Sequence, residues 1–285
     1  MTTLDHKIDF AVVLTVTKAN PNGDPLNGNR PRQNYEGYGE ISDVAIKRKI
    51  RNRLQDMGEK IFVQSNDRTN DGFSSLRERA EGNEQLKEQM KKDSMEAFAY
   101  LACQEWIDVR SFGQVFAFKS AGKGSGVSCG VRGPVSIHTA VSINPIDITS
   151  MQITKSVNSE PGKEKGSDTM GMKHRVDFGV YVFYGSINTQ LAKKTGFTNE
   201  DAEKIKEALK TLFENDASSA RPEGSMEVRK VYWWNHHSAI GQYSSAAVHR
   251  LLQLRSKVDN PESFNDYEII LNELENLQVE VLDGH

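Results

Sequence analysis

The sequence has little cysteine, no long apolar run, no excess of positive charge and no metal-ligand spacing. Cys103 and Cys129 stand alone without a CxxC pair. That excludes a disulfide framework or a cysteine-based zinc site and predicts two small buried side chains. No apolar stretch approaches the ~20 residues that a helix needs to cross a bilayer. The first residues lack a basic, then apolar, then small-residue leader, so a cytoplasmic protein with no membrane partner is expected. His236, His237 and His249 form a histidine cluster with no carboxylate or cysteine at ligand spacing. They predict polar loop residues and no bound metal.

The formal net charge of -3 hides a strong polarity. Residues 30–53 hold seven Lys and Arg against three acids, a net of +4, whereas residues 259–285 hold eight acids and no Lys or Arg, a net of -8. A basic surface can therefore bind an anion while the acidic segment lies elsewhere or meets the basic face of a neighbouring copy.

Residues 20–54 couple a loop rich in Gly, Asn and Pro to a basic helix. Ser42 is a good N-cap, and Asp43 suits the positive end of the helix dipole. Ile46, Ile50, Leu54 and Met57 fall on one helical face and predict a buried stripe. Arg48 lies opposite, with Lys49 and Arg51 beside it and Lys47 and Arg53 at the stripe's edges. A solvated face usually mixes both signs; this helix, with Arg30 and Arg32 just upstream, predicts an exposed surface for a run of phosphates.

Along the chain, Ile8, Phe10, Val12, Leu14 and Val16 alternate as a central strand. Residues 56–104 are polar and predict a mostly helical insertion, with a candidate helix over 84–106. Residues 107–118 read as a strand bent at Gly113, and residues 135–143 as a stronger strand stopped by Asn144-Pro145. The polar stretch 149–175, carrying Lys155, Lys163, Lys165, Lys173, His174 and Arg175, lies between alternating segments and predicts a long projecting hairpin. Thr198 caps a helix whose core face is Ala202, Ile205, Ala208, Leu209, Leu212 and Phe213. An aromatic-rich strand over 228–234, a helix over 244–254 and strands over 267–271 and 277–282 complete the expected α+β, RRM-like (ferredoxin-like) sandwich with insertions.

Enzyme motifs fail on inspection. AGKGSG lacks the Gly and Ser/Thr of a phosphate loop, having Ala117 and Gly124 in their places. A calcium loop begun at Asn20 meets Pro25 and Pro31 where Gly and Glu are needed. GVSCG spells a nucleophile elbow around Ser128 but leads through Pro134 into a strand, without the strand-to-helix turn that motif requires. Asp24, in a tight Gly/Pro loop, is expected as a turn-former. Asp108 and Arg110 read equally well as a mutual pair or as RNA contacts.

The ordered set NPNGDP (20–25), GNRPR (28–32), SDVAIKRKIRN (42–52), DVRSFGQV (108–115), VRGPV (131–135), TMGMKHRVDFG (169–179), LAKKTGF (191–197) and SSAAVHRLL (244–252) spans nearly the whole chain. It resembles the CRISPR-associated RNA-coating backbone subunit of Cascade, the seventh Cas family of the RAMP superfamily, and most closely its type I-C branch. The resemblance implies an RRM-like palm (residues 1–55, 105–148 and 176–285), helical fingers (56–104) and a β-hairpin thumb (149–175). It implies a non-enzymatic role without cofactor. Copies stack head to tail along a CRISPR guide RNA with other Cascade subunits, and each thumb displaces a nucleotide of its neighbour's segment. Sequence-blind backbone binding leaves the guide's bases free to pair with a target DNA strand. RNA contact is carried onto Asn20, Asn22, Lys47, Arg48, Arg51 and Arg110, with Met170, Met172, Lys173 and His174 near the thumb base. Two other readings stand beside it: a metal-dependent ribonuclease like type III relatives, with Asp24 in their catalytic loop, and a solitary RNA-binding protein.

Overall fold

The computed structural model describes residues 2–92, 94–118, 127–157 and 170–285. The Gly/Ser stretch at 119–126 and the tip of the expected thumb, with Lys163 and Lys165, lie outside them.

In chain order the elements are β1 (Ile8–Ala19), β2 (Gly23–Asp24), β3 (Arg30–Pro31), β4 (Tyr38–Ile41), α1 (Asp43–Asp56), α2 (Leu76–Glu81), α3 (Glu84–Lys92), α4 (Met95–Glu105) and α5 (Ile107–Phe112). Then come β5 (Gly113–Phe118), β6 (Val127–Arg132), β7 (Val135–Ile137), β8 (Ala140–Pro145), β9 (Ile148–Thr154) and β10 (Met170–Ile187). The chain continues through α6 (Thr189–Thr195), α7 (Asn199–Lys210), β11 (Met226–Asn235), α8 (Ser245–His249), β12 (Leu252–Ser256), β13 (Tyr267–Leu271) and β14 (Gln278–Asp283).

One antiparallel sheet organises the molecule in the order β14-β11-β1-β10-β8-β4, with β7 and β9 also pairing with β10. β1 is central, as its alternation predicts: it pairs with β10 on one side and β11 on the other. Both of its faces are buried because helices and a ribbon cover the two sides of the sheet. Phe10, Val12, Leu14 and Val16 join Ile46, Ile50 and Leu54 of α1 and Ile205, Ala208 and Leu209 of α7 in the main core. Ala11 and Val13 face the other way, into a smaller cluster with Tyr232, Trp234, Val248 and Tyr267.

The helix starts are those the sequence predicts. Ser42 Oγ accepts from the Ala45 amide at 3.3 Å, and replacing such a cap with alanine costs about 1 kcal/mol. Thr198 and Asp201 form a reciprocal capping box on α7.

Five expectations are corrected. Residues 107–118 are a helix followed by a strand: Ile107, Asp108, Val109 and Ser111 are all buried on α5, so no exposed face alternates with a buried one. Gly113, at φ 79°, makes the change of direction. Residues 135–143 are two strands, because the chain steps aside at His138, whose amide donates to the Tyr184 carbonyl. The helix expected over 244–254 is the single-turn α8, after which the chain extends as β12 and pairs with β13 in a separate ribbon over the small cluster. Only β14 of the C-terminal strands joins the main sheet, on β11. The helical candidate over 84–106 is split into α3 and α4.

The insertion has its own core, in which Phe62, Leu86, Met90, Phe98 and Trp106 pack with Phe116 and Val127. It therefore draws in the β5–β6 hairpin, beyond residue 104. Cys103 is buried and Cys129 half-buried, with burial raising both thiols, that of Cys103 to about 11. Ser128 lies within β6, on no strand-to-helix turn.

The expected loop histidines are also corrected. His236 and His249 are buried, and both approach Asp9, a fully buried carboxylate on β1. His236 Nε2 is 2.8 Å from Asp9 Oδ2, Lys7 Nζ is 3.0 Å from the same oxygen, and His249 Nε2 donates to the Gly185 carbonyl at 3.1 Å. The residues are 227 apart in sequence, so no spacing rule could pair them. Among the described residues no group of three or more His, Cys, Asp or Glu is placed to hold a metal ion, and no helix is long and apolar enough to cross a membrane.

Candidate nucleic-acid interface

The loop after β1 is held by its own polar side chains. Asn20 is buried, with its amide nitrogen donating to the Asn29 carbonyl at 2.7 Å. Asn22 Oδ1 accepts from the Ser42 amide at 2.9 Å, tying the loop to the start of α1. Asp24 acts as the expected turn-former: Oδ1 accepts from the Leu26 amide at 3.2 Å and lies 3.6 Å from the Arg32 guanidinium. Gly28 and Asn29, at φ 58° and 61°, then turn the chain back, a left-handed step that Gly and Asn tolerate best.

This loop packs beside the base of the β9–β10 ribbon, the described part of the expected thumb. The ribbon pairs His174 with Ser150, Lys173 with Met151 and Met172 with Gln152. Arg30 Nη1 donates to Ser150 Oγ at 2.8 Å, and His174 Nδ1 lies 2.8 Å from the same hydroxyl. Between loop and ribbon lies an open cavity of about 270 Å3, lined by Asn20, Asn29, Ile153, Met172, Lys173 and His174 among others. Its walls mix two chemistries. Lys173 offers positive charge and His174 polar ring nitrogens, whereas Ile153 and Met172 are apolar yet half exposed, at 50% and 56%. Lys173 has no acidic partner among the described residues.

Helix α1 is different from its expected form, and its exposed cationic face is a correction. Lys49 is buried and paired with Asp216, and burial lowers its ammonium to about 8. Arg51 pairs with buried Asp108 at 2.9 Å and lies 5.0 Å over the Phe112 ring. Arg53 binds Glu214 and Thr211 Oγ1, Lys47 binds Asp43 at 2.9 Å, and Arg48 donates to the Val63 carbonyl. Desolvation and the neighbouring Arg51 lower the Arg48 guanidinium. Lys47, Arg48 and Arg53 keep partial exposure without a buried acid as partner. The helical wheel shows only which side is apolar. It cannot show that α5 and the turn after α7 bring acids far away in sequence to the other sides.

Arg110 and Asp108 do not pair with each other. Arg110 makes two hydrogen bonds to Asp201, at 3.0 and 2.7 Å, and so ties α5 to the start of α7. Asp108 accepts from the Phe62 and Val63 amides at 2.8 and 3.0 Å as well as from Arg51. These groups hold the insertion against the sheet. Of the residues expected at the interface, the structure brings Asn20, Lys173 and His174 to one cavity. Asn22 stands beside it as a strut, and Arg51 and Arg110 lie in internal ion pairs. Asn29 and Ser150 were missed, only the GNRPR string hinting at the first, whereas Arg30 was read only as a cation upstream of the helix.

The sequence pattern of the family described as CRISPR-associated protein Cas7 matches residues 6–272. A CRISPR-associated protein Cas7 from Haloferax volcanii is 26% identical over 301 aligned residues, which cover 99% of this chain and 84% of that protein. A chain in a solved CRISPR RNA-guided surveillance complex, pre-nicking, superposes with a TM-score of 0.50 at 14% identity, covering 80% of this chain and 75% of that one. The fold is thus shared with that chain despite little common sequence, and the family pattern runs through β1, the loop, α1 and the ribbon alike: the chain belongs to the CRISPR-associated Cas7 family.

Proposed function

We propose that the chain is a non-enzymatic, guide-RNA-binding backbone subunit of a Cascade surveillance complex, of the type I-C branch. In this reading several copies stack head to tail along the guide spacer, meet other Cascade subunits and present guide bases to a target DNA strand. The β1-α1-β8-β10-α7-β11 succession, antiparallel throughout, supports an RRM-like palm. Residues 56–104 with the β5–β6 hairpin would form the fingers, and the β9–β10 ribbon the base of the thumb.

The observation that carries the reading is the cavity between the post-β1 loop and the ribbon. Phosphates seek unpaired cations, and Lys173 supplies one with His174 and Arg30 beside it. Bases turned out of a stack seek apolar surface, and Ile153 and Met172 supply it at the same place. Nothing there selects one base, as a subunit that accepts any guide requires. Lys47 and Arg48 would extend the phosphate track, whereas Arg51 and Arg110 position the elements around it.

The test is the mass of the purified protein with and without a guide-length RNA, followed by nuclease footprinting. Several copies per RNA with protection recurring at regular intervals is the expected result. A single copy with one fixed footprint would make the protein a solitary binder. Metal-dependent cutting lost in Asp24→Ala would make it a nuclease.

A further inference from the structure

Asn20, one of the residues lining this cavity, holds a buried acceptor without a donor. Asn20 Oδ1 is buried and has no hydrogen-bond partner among the described residues. The identity of the atom follows from its neighbour: the Asn29 carbonyl only accepts, so the amide atom 2.7 Å from it is the nitrogen and the orphan is the oxygen. A buried carbonyl oxygen left unpaired is costly, and a ligand that brings it a hydrogen recovers that cost.

Phosphate cannot be that ligand group, because at neutral pH it offers only acceptors. The nucleobases carry donors, but each base carries them at a different place. The donor that every RNA nucleotide presents alike is the ribose 2′-hydroxyl, the group that distinguishes RNA from DNA. Lys173 and His174 line the same cavity, so a phosphate held there would bring its own sugar to the loop. Oδ1 is covered in the free chain, so access requires neighbouring side chains to yield. Met172 and Lys173, which line the same cavity, are unbranched, with several soft torsions each.

We propose that Asn20 Oδ1 accepts a hydrogen bond from a ribose 2′-hydroxyl, making this cavity a sequence-independent RNA-over-DNA selector. The inference rests on the RNA-binding reading above and deepens it.

The experiment compares guide-length RNA with the same sequence bearing 2′-fluoro groups, which keep the RNA sugar pucker but cannot donate. Both are titrated against the wild-type chain, Asn20→Ala and Asn20→Asp. The wild type is expected to bind the 2′-fluoro strand roughly fivefold to tenfold more weakly, the size of one hydrogen bond. Asn20→Ala should bind the two strands alike. Asn20→Asp gives up the bond to the Asn29 carbonyl and adds a negative charge, so it should bind both strands more weakly, but because it keeps an acceptor it should still favour the hydroxyl-bearing strand. Equal binding of both strands by the wild type overturns the inference, whatever the variants do. So does a difference that survives in Asn20→Ala, or one confined to particular guide sequences. Failure of the folded wild type to bind either strand overturns the RNA-binding reading itself, and is told apart from the first outcome by the absence of any complex.

Discussion

Helix α1 and the β9–β10 ribbon both carry clustered cations, yet they differ in what those cations meet. On α1, Lys49, Arg51 and Arg53 reach Asp216, Asp108 and Glu214, which stand 57 to 167 residues away in sequence. On the ribbon, Lys173 faces an open cavity with half-exposed apolar neighbours. The first arrangement holds two cores together; the second leaves charge for a partner. Cation density in a sequence is therefore a poor guide to a nucleic-acid surface until the acids are placed.

The contrast breaks most sharply at Asp108. Asp108→Ala leaves Arg51 and the Phe62 and Val63 amides without their acceptor, and removing one partner of a buried pair costs about 3–5 kcal/mol. A denaturant melt should show that loss. If stability is unchanged, α1 is not anchored as described.

Lys173→Glu should act oppositely, leaving the melt within about 0.5 kcal/mol of wild type as for an exposed substitution. It should weaken RNA binding about tenfold for every guide sequence and flatten the salt dependence by roughly one or two contacts. An unaltered salt slope would remove Lys173 from the phosphate track.

The Asp9 cluster gives a pH prediction for the opposite side of the sheet. Burial pushes the Asp9 carboxyl up, but hydrogen bonds from His236, Ser245 and Lys7 outweigh it and hold the carboxyl below its usual range. Its contribution is present above the unfolded value and is lost as pH falls through the lower folded one. Burial lowers His249 below its ordinary 6.5, against the raising effects of the Gly185 carbonyl and Asp9, while His138 and Lys7 add to the lowering. The folded state thus resists a proton that the unfolded chain accepts, and stability falls as pH drops below about 6.5 toward that folded value. Both signs agree. The urea midpoint should decline from pH 7.5 to 5.5, and His249→Gln should flatten that part of the curve; a midpoint independent of pH there would contradict the cluster.

The smallest effect is expected at Lys49→Met. The ammonium is strongly desolvated, and Asp216 keeps Arg221 as a second partner at 3.3 Å. Removing one partner of a buried pair is costly when it strands the other charge, but Arg221 still compensates Asp216, so the melt should move by less than about 1 kcal/mol, with RNA affinity unchanged.

What was legible in the sequence had local causes. The alternation of Ile8 to Val16, the Ser42 and Thr198 caps, the Asp24 turn and the flanks of the ribbon each depend on neighbours within a few residues. What was not legible depended on distant ones. The ion pairs of Arg51 and Arg110 were hidden because Asp108 and Asp201 come to them only in the fold. The buried faces of α5 passed for a strand because a short helix buried nearly all round has no amphipathic period. The candidate site was half visible: NPNGDP and TMGMKHR marked the two sides of the cavity, but only strand pairing brings Asn20 and His174 together.

The measurement that tests the central claim most directly is photo-crosslinking of guide-length RNA carrying 4-thiouridine, with the attachment sites mapped by peptide mass. The account predicts cross-links on the ribbon at Ile153 and 170–174 and on the loop at 20–30. Cross-links confined to α1 would contradict it, and would return the phosphate track to the helix.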